Sequence, residues 1–201
     1  MVIEGILTTE NTDGSMHVAP IGPHVNPELS SWTLKPFQTS TTFTNLRANG
    51  KAVFHVVDDP LLMAAAVLGL CNPMEDGSHI ADKHNALEMG ELIAAQLRSG
   101  VGWVLDLSCR CYALTVDDWD VLAPRAIAFC SCSHQEEKRT FWGWNRARHS
   151  ILELAILASR IQMLERSLVE EELIRHKLII EKTAGPRELA AWELLKNHLS
   201  Q

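Results

Sequence analysis

The densest run of chemistry-bearing residues lies between Lys35 and Asn45, where Lys35 and Phe37 precede Gln38, Thr39, Ser40, Thr41, Thr42, Phe43, Thr44 and Asn45. Hydroxyls gathered at the start of a helix, beside backbone N–H groups and a cation, are what a dianionic phosphate needs. The helix start already favours an anion, and hydroxyls add donors without an opposing charge. The same residues also make an ordinary solvated turn and cap, because Ser and Thr favour those positions for their own hydrogen bonds. Both readings stand on spacing alone.

Four of the five cysteines form two Cys-x-Cys pairs, Cys109 with Cys111 and Cys130 with Cys132. Alternate residues share one face of a strand, so each pair places two thiols together. Zinc is one reading of four such thiols. Structural zinc sites favour C-x₂₋₄-C knuckles, however, and buried cysteines pack as small hydrophobes, so core thiols and no metal are expected. His79 and His84 are five apart and lack the i, i+4 spacing of a zinc helix, which places them at the surface. His55, inside an apolar run, is expected to be a hydrogen-bonded core histidine, whereas His17, just before Ala19-Pro20-Ile21-Gly22, is placed to line a site. Trp142-Gly143-Trp144 reads either as a stacking platform or as packing between a barrel and helices. The chain has no G-x-x-x-x-G-K-[ST], G-x-G-x-x-G or G-x-S-x-G, so P-loop, Rossmann and serine-hydrolase chemistry lack support.

The elements that must position these residues change character along the chain. Val2 to Thr9 and His17 to Ile21 read as strands around the hairpin signal Asp13-Gly14. Ser31 to Phe37 reads as a third strand, residues 38–50 hold a short helix led by hydroxyls and closed by Gly50, and Lys51 to Val57 is a buried strand. Asp58-Asp59-Pro60 opens a helix through Leu68. A helix is expected near Asn85 to Leu97, and strand character returns over Val101 to Val116 and Ala126 to Ser133. Beyond Asn145 the period is helical, with Ile151, Leu154, Ala158 and Ile161 on one face, then helices over Val169 to Lys182 and Pro186 to Leu199. The fold class is α+β, an antiparallel sheet or barrel followed by a three-helix segment.

With 201 residues, 46% hydrophobic and 21% charged, the chain is long enough to bury a core and is neither disordered nor collagenous. Its longest apolar run, Leu61 to Leu68, is far shorter than the roughly 18 to 20 residues that span a bilayer. Met1 to Leu7 has no basic region and carries Glu4, so it does not read as a secretory signal, and a cytoplasmic location is expected. The net charge of -7 argues against a phosphate-backbone binder such as a nucleic-acid domain.

Three segments together carry a resemblance: His17-Val18-Ala19-Pro20-Ile21-Gly22, Thr39 to Leu46, and Val53 to Pro60. They are similar to the FMN-binding split barrels of the flavin-reductase-like superfamily. Asn145-Arg146-Ala147-Arg148-His149 and Glu181 to Glu188 resemble, more narrowly, an uncharacterised family within it, domain of unknown function 447. The resemblance implies a split barrel over 1–140, a helical segment over 141–201, and FMN in a groove at the interface of a homodimer. By position, it implies that Thr39, Ser40, Thr41, Thr44 and Asn45 hold the phosphate. Ala19, Pro20, Ile21 and Gly22 line the isoalloxazine, and Lys35 and Phe37 flank the groove. His17 and Arg146 are the side chains that approach a substrate. The narrower family, found in methanogens and in bacteria with tetrahydromethanopterin-type carriers, implies a link to pterin or one-carbon metabolism. The reading is a flavin-dependent oxidoreductase, with a non-catalytic dimeric module for a pterin or other phosphorylated ligand as the alternative.

Overall fold

The computed structural model describes residues 1–72, 93–122 and 124–201. They form two units, one of Met1–Val57 with Ile93–Thr140, the other of Asp58–Leu92 with Phe141–Gln201.

The first unit is built on a seven-stranded antiparallel sheet. Its strands are β1 (Gly5–Glu10), β2 (Met16–Ile21), β3 (His24–Val25), β4 (Ser31–Leu34), β5 (Lys51–Val56), β8 (Arg110–Leu122) and β9 (Arg125–Glu137), in the order β2-β1-β5-β8-β9-β4-β3. The sheet curls until β3 reaches the segment ahead of β1: Val2 bridges His24, and the Val25 N–H donates to the Met1 carbonyl at 2.8 Å. This is the antiparallel sheet or barrel that the alternating early strands imply, in the half-barrel form that the resemblance implies. β1 and β2 pair from Gly5↔Ile21 to Glu10↔Met16 around the Asp13-Gly14 turn, where Gly14 has φ 84°. β2 is an edge strand, which lets Pro20 sit in it without breaking an inner ladder.

The concave core packs Leu7, Leu34, Leu46, Leu114 and Ala128 around three touching aromatics, with Trp32 5.2 Å from Phe54 and 4.9 Å from Tyr112. α1 (Thr41–Asn49) connects β4 to β5. A two-stranded ribbon, β6 (Ala95–Arg98) with β7 (Gly102–Leu105), lies against β1 and β5. The expected helix ending at Leu97 is corrected here, because Ala95 to Leu97 are strand; its earlier part lies outside the described residues. The strand character expected over Val101 to Val116 is divided between β7 and β8, with Asp106 to Cys109 between them.

In the second unit, α2 (Pro60–Val67) is capped by Asp59, which accepts from Leu61 and Leu62, and is buried from Pro60 to Ala66. A helix apolar all round belongs in an interior. It packs on α3 (Arg146–Ala158) and α5 (Pro186–Leu199), and α3 also packs on α4 (Arg166–Thr183). α2 therefore groups with the C-terminal helices rather than with the sheet that precedes it in the chain. Ile161, expected on the α3 face, sits in a separate 3₁₀ turn, Ile161–Met163.

Candidate functional site

Ser40 is the N-cap of α1. Its backbone is extended, its Oγ accepts from the Phe43 N–H at 3.2 Å, and the hydroxyl donates to the Phe37 carbonyl at 2.7 Å. The helix ends at Gly50 in the left-handed region, φ 63°. No acidic residue stands in the first turn, so nothing there opposes an incoming anion.

The helix then sorts the hydroxyl run by face. Thr39, Thr41 and Thr44 are exposed, while Thr42 and Asn45 turn inward. The buried Asn45 amide donates to Thr9 Oγ1 at 3.0 Å and to Asn11 Oδ1 at 2.8 Å, which pins α1 to β1. Thr42 Oγ1 lies 3.3 Å from His17 Nε2 and so joins α1 to β2. Burial pushes the His17 imidazole below its ordinary range, so it is neutral at pH 7. Ala19 begins two residues, roughly 7 Å, further along the same strand. Ala19, Pro20, Ile21 and Gly22 are all half-buried, and a Cβ on Gly22 would come within 2.7 Å of the Glu4 carboxylate. One path therefore runs from the exposed start of α1, past His17, along β2.

Lys35 and Phe37 lie in the turn that feeds α1. Lys35 is exposed with Nζ 3.4 Å from His24 Nε2, and Phe37 is 40% exposed. The functional candidate that sequence reasoning missed is Arg125, at the start of β9, whose guanidinium lies 3.7 Å over the Phe37 ring. Only the antiparallel return of the β8–β9 ribbon brings it there, 90 positions from Lys35, and no local pattern signals that.

The other sequence candidates are placed as follows. Cys111 packs with Val53 and Val104, whereas Cys130 and Cys132 pack with the Trp32 core, so Cys111 faces the opposite side of the sheet from the second pair, and Cys109 lies just before β8 rather than on it. None of the five cysteines is in a disulfide, and burial pushes the Cys71 and Cys130 thiols up to about 12. Among the described residues no group of three or more His, Cys, Asp or Glu is poised to hold a metal. His79 and His84 lie outside the described residues. Trp142 and Trp144 are 69% and 89% exposed; within their unit Trp142 lies 4.7 Å from the Arg148 guanidinium, and Trp144 stacks on His149 at 5.1 Å. Arg146 is exposed at the start of α3. A groove of about 570 Å³, walled by Thr8, Asn49, Lys51, Arg98, Gly100 and Trp103, lies at the opposite end of α1 and holds none of the predicted site residues. No helix among the described residues is long and apolar enough to cross a membrane.

The capping role of Ser40 has a measurable consequence. Ser40→Ala should lower stability by about 0.5–2 kcal/mol, read as a drop in Tm by circular dichroism, and Ser40→Gly by only a few tenths. A Ser40→Ala Tm equal to wild type would remove the cap.

Comparison with known proteins places this geometry in a series. The family described as protein of unknown function (DUF447) matches twice, its N-terminal domain over residues 3–139 and a second domain over residues 145–197. No curated protein matches in sequence. Among solved structures, an FMN-bound DUF447 protein from Methanosarcina mazei superposes with TM-score 0.73 at 17% identity, over 98% of this chain and 94% of that one. The styrene monooxygenase flavin reductase of Pseudomonas putida S12 gives TM-score 0.52 at 9% identity, over 69% of this chain and 82% of that one. An FMN-binding protein from Thermus thermophilus gives 0.51 at 7%, over 68% and 70%. At these identities the likeness is one of fold, the flavin-reductase-like half-barrel.

Proposed function

This chain belongs to the DUF447 family, and from that premise we propose that it binds FMN and serves as a flavin-dependent oxidoreductase. The observation that carries the reading is the start of α1: a capped helix with no acid in its first turn and three outward threonines, joined through Thr42 and His17 to the half-buried Ala19–Gly22 run. FMN bound in the M. mazei family member supports it.

These residues fit the group. Thr39 and Thr41 offer hydroxyls to the phosphate together with the first-turn amides, Thr44 joins them once its hydroxyl turns from the Ser40 carbonyl 3.4 Å away, and Ser40 holds those amides in place through its cap. Asn45, predicted as a phosphate ligand, takes the role of anchoring the helix, since its amide is committed to Thr9 and Asn11. The backbone of Ala19 to Gly22 flanks the ring system, and neutral His17 adds no charge beside it at pH 7. Bound FMN supplies hydride and electron transfer, and the protein supplies orientation and electrostatics. The functional unit is a homodimer with the flavin at its interface, in the cytoplasm, and the substrate lies in pterin or one-carbon metabolism. Sedimentation at two concentrations tests the dimer.

The direct test is the visible spectrum of the protein after incubation with FMN and desalting. Retained flavin bands are expected; a colourless protein overturns the reading and makes pterins the next ligands to titrate. With wild-type binding in hand, Thr39→Val with Thr41→Val should weaken FMN more than tenfold by fluorescence quenching, since a hydrogen bond to a charged group contributes about 1.5–3 kcal/mol. Unchanged affinity would move the phosphate elsewhere.

A further inference from the structure

Asn49 and Gly50 form the only Asn-Gly pair in the chain; the seven other asparagines precede Thr, Pro, Leu, Pro, Ala, Arg and His. An asparagine before glycine can lose its amide without an enzyme, because the next backbone nitrogen is a nucleophile within reach of the side-chain carbon. Glycine puts no side chain in the way and turns freely to meet it. Asn49 is the last residue of α1 and is exposed, so water reaches it.

Both reacting groups are nonetheless committed elsewhere. The Asn49 amide donates to the Glu10 carbonyl of β1 at 2.9 Å, and the Gly50 N–H donates to the Leu46 carbonyl of α1 at 2.9 Å. The first bond draws the electrophile to the sheet, and the second turns the nucleophile back into the helix. The Gly50 carbonyl is held as well, accepting from the Val116 N–H at 2.8 Å. One turn earlier, the Asn45 amide ties the same helix to Thr9 and Asn11. Attack needs both bonds open at once, a state that a docked α1 reaches only by local unfolding.

We propose that Asn49 is a site of spontaneous deamidation, gated by the docking of α1 on β1. The Gly50 nitrogen attacks Cγ of Asn49 and gives up its proton. The Cγ–Nδ2 bond breaks, ammonia leaves with that proton, and a five-membered succinimide closes. Water then opens the ring at either carbonyl and leaves an aspartyl or isoaspartyl residue at position 49. No electrons change hands, and water is the one co-reactant. The product has no N–H for the Glu10 carbonyl, and its carboxylate stands at the negative end of the α1 dipole. The isoaspartyl form also adds a methylene to the main chain between α1 and β5. One modification thus removes the tie that held the gate and releases the end of α1 from the sheet.

The test incubates the whole chain at pH 8, folded and in guanidinium chloride, and maps the product by peptide mass spectrometry. In denaturant Asn49 should react faster than every other asparagine. In the folded protein it should react roughly ten- to hundredfold more slowly, since two hydrogen bonds must be given up together. Asn45→Ala should speed the folded reaction roughly two- to tenfold and leave the rate in denaturant unchanged. Asn11→Ala removes only one of the two acceptors and makes the same comparison on a gentler change, should Asn45→Ala not fold. Asn49→Gln keeps an amide but must close a larger ring, so this position should give no product in the same time. Protein isolated after reaction should melt below the unreacted chain. Equal rates in the folded and denatured chain would overturn the gate, as would a folded variant that loosens α1 yet reacts no faster than wild type. Another asparagine reacting ahead of Asn49 in denaturant would overturn the site, and an unchanged Tm would overturn the release of α1.

Discussion

Acidification from pH 7 to pH 4 is expected to remove about 3 kcal/mol of folding stability through one side chain, His55. The residue is fully buried on β5, and its two ring nitrogens are both committed. The Leu105 N–H donates to Nε2 at 3.2 Å, so Nε2 carries no proton; Nδ1 carries it and donates to the Ile6 carbonyl at 3.2 Å. The neutral ring therefore ties β7, β5 and β1 together, and a second proton would set two N–H groups against each other in a dry interior. Burial pushes the folded-state pKa down to about 3, partly offset by the Ile6 bond and reinforced by the nearby Lys138 charge. The unfolded chain takes up a proton near pH 6.5, so the contribution is complete above that value. It is lost at about 1.4 kcal/mol per pH unit as the pH falls towards 3. Urea unfolding at pH 7, 5 and 4 measures the slope, and an NMR titration of the His55 ring measures the cause. The ring signal should stay flat down to pH 4; a midpoint near 6 would refute the assignment.

Arg148→Met is expected to cost about 3–5 kcal/mol, because it strands two carboxylates in the helical unit. Arg148 Nε donates to Glu188 Oε1 at 2.8 Å and Nη1 lies 3.7 Å from Asp58 Oδ2, while those two side chains are 7% and 5% exposed. Each acid also serves the backbone: Glu188 Oε2 accepts from the Gly185 N–H at 2.9 Å, and Asp58 Oδ2 from the Trp142 N–H at 2.8 Å. Desolvation pushes Glu188 up, yet the Arg148 and backbone hydrogen bonds outweigh it and hold the carboxyl below its ordinary range. Its contribution is thus present above the usual carboxylate pKa and lost as the pH falls below it. Denaturant unfolding at pH 7 reads the loss. In a double-mutant cycle, adding Glu188→Gln to Arg148→Met should cost less than the two single losses summed. A single-mutant loss under 1 kcal/mol would mean that water reaches the pair.

Much of the framework was legible because its signals are local. Asp13-Gly14 announces the β1–β2 hairpin, Ser40 and Gly50 bracket α1, Asp59-Pro60 starts α2, and Gly185-Pro186 separates α4 from α5. What escaped depends on partners distant in the chain. β3 is two residues long and exists only because β4 and Val2 pair with it. β6 reads Ala-Gln-Leu-Arg, a helix-favouring composition that pairing with β7 overrides. At the candidate site the hydroxyl-led helix start was legible, but the division between outward Thr39, Thr41 and Thr44 and inward Thr42 and Asn45 was not. That division is set by where α1 lands on β1 and β2. Arg125 was invisible for the same reason, its neighbours being supplied by the return of a 13-residue strand.

The grouping of α2 with the C-terminal helices bears on how this chain is made. A ribosome releases Pro60 to Val67 with every side chain from Pro60 to Ala66 awaiting burial, and the surfaces that receive them on α3 and α5 are translated about 80 to 130 residues later. At roughly 5–20 residues per second that wait lasts several seconds or more, during which the greasy segment is a natural client for a holding chaperone. A fragment ending near residue 140 would never find those surfaces, and its insolubility on expression would reflect orphaned α2 rather than a fault in the sheet.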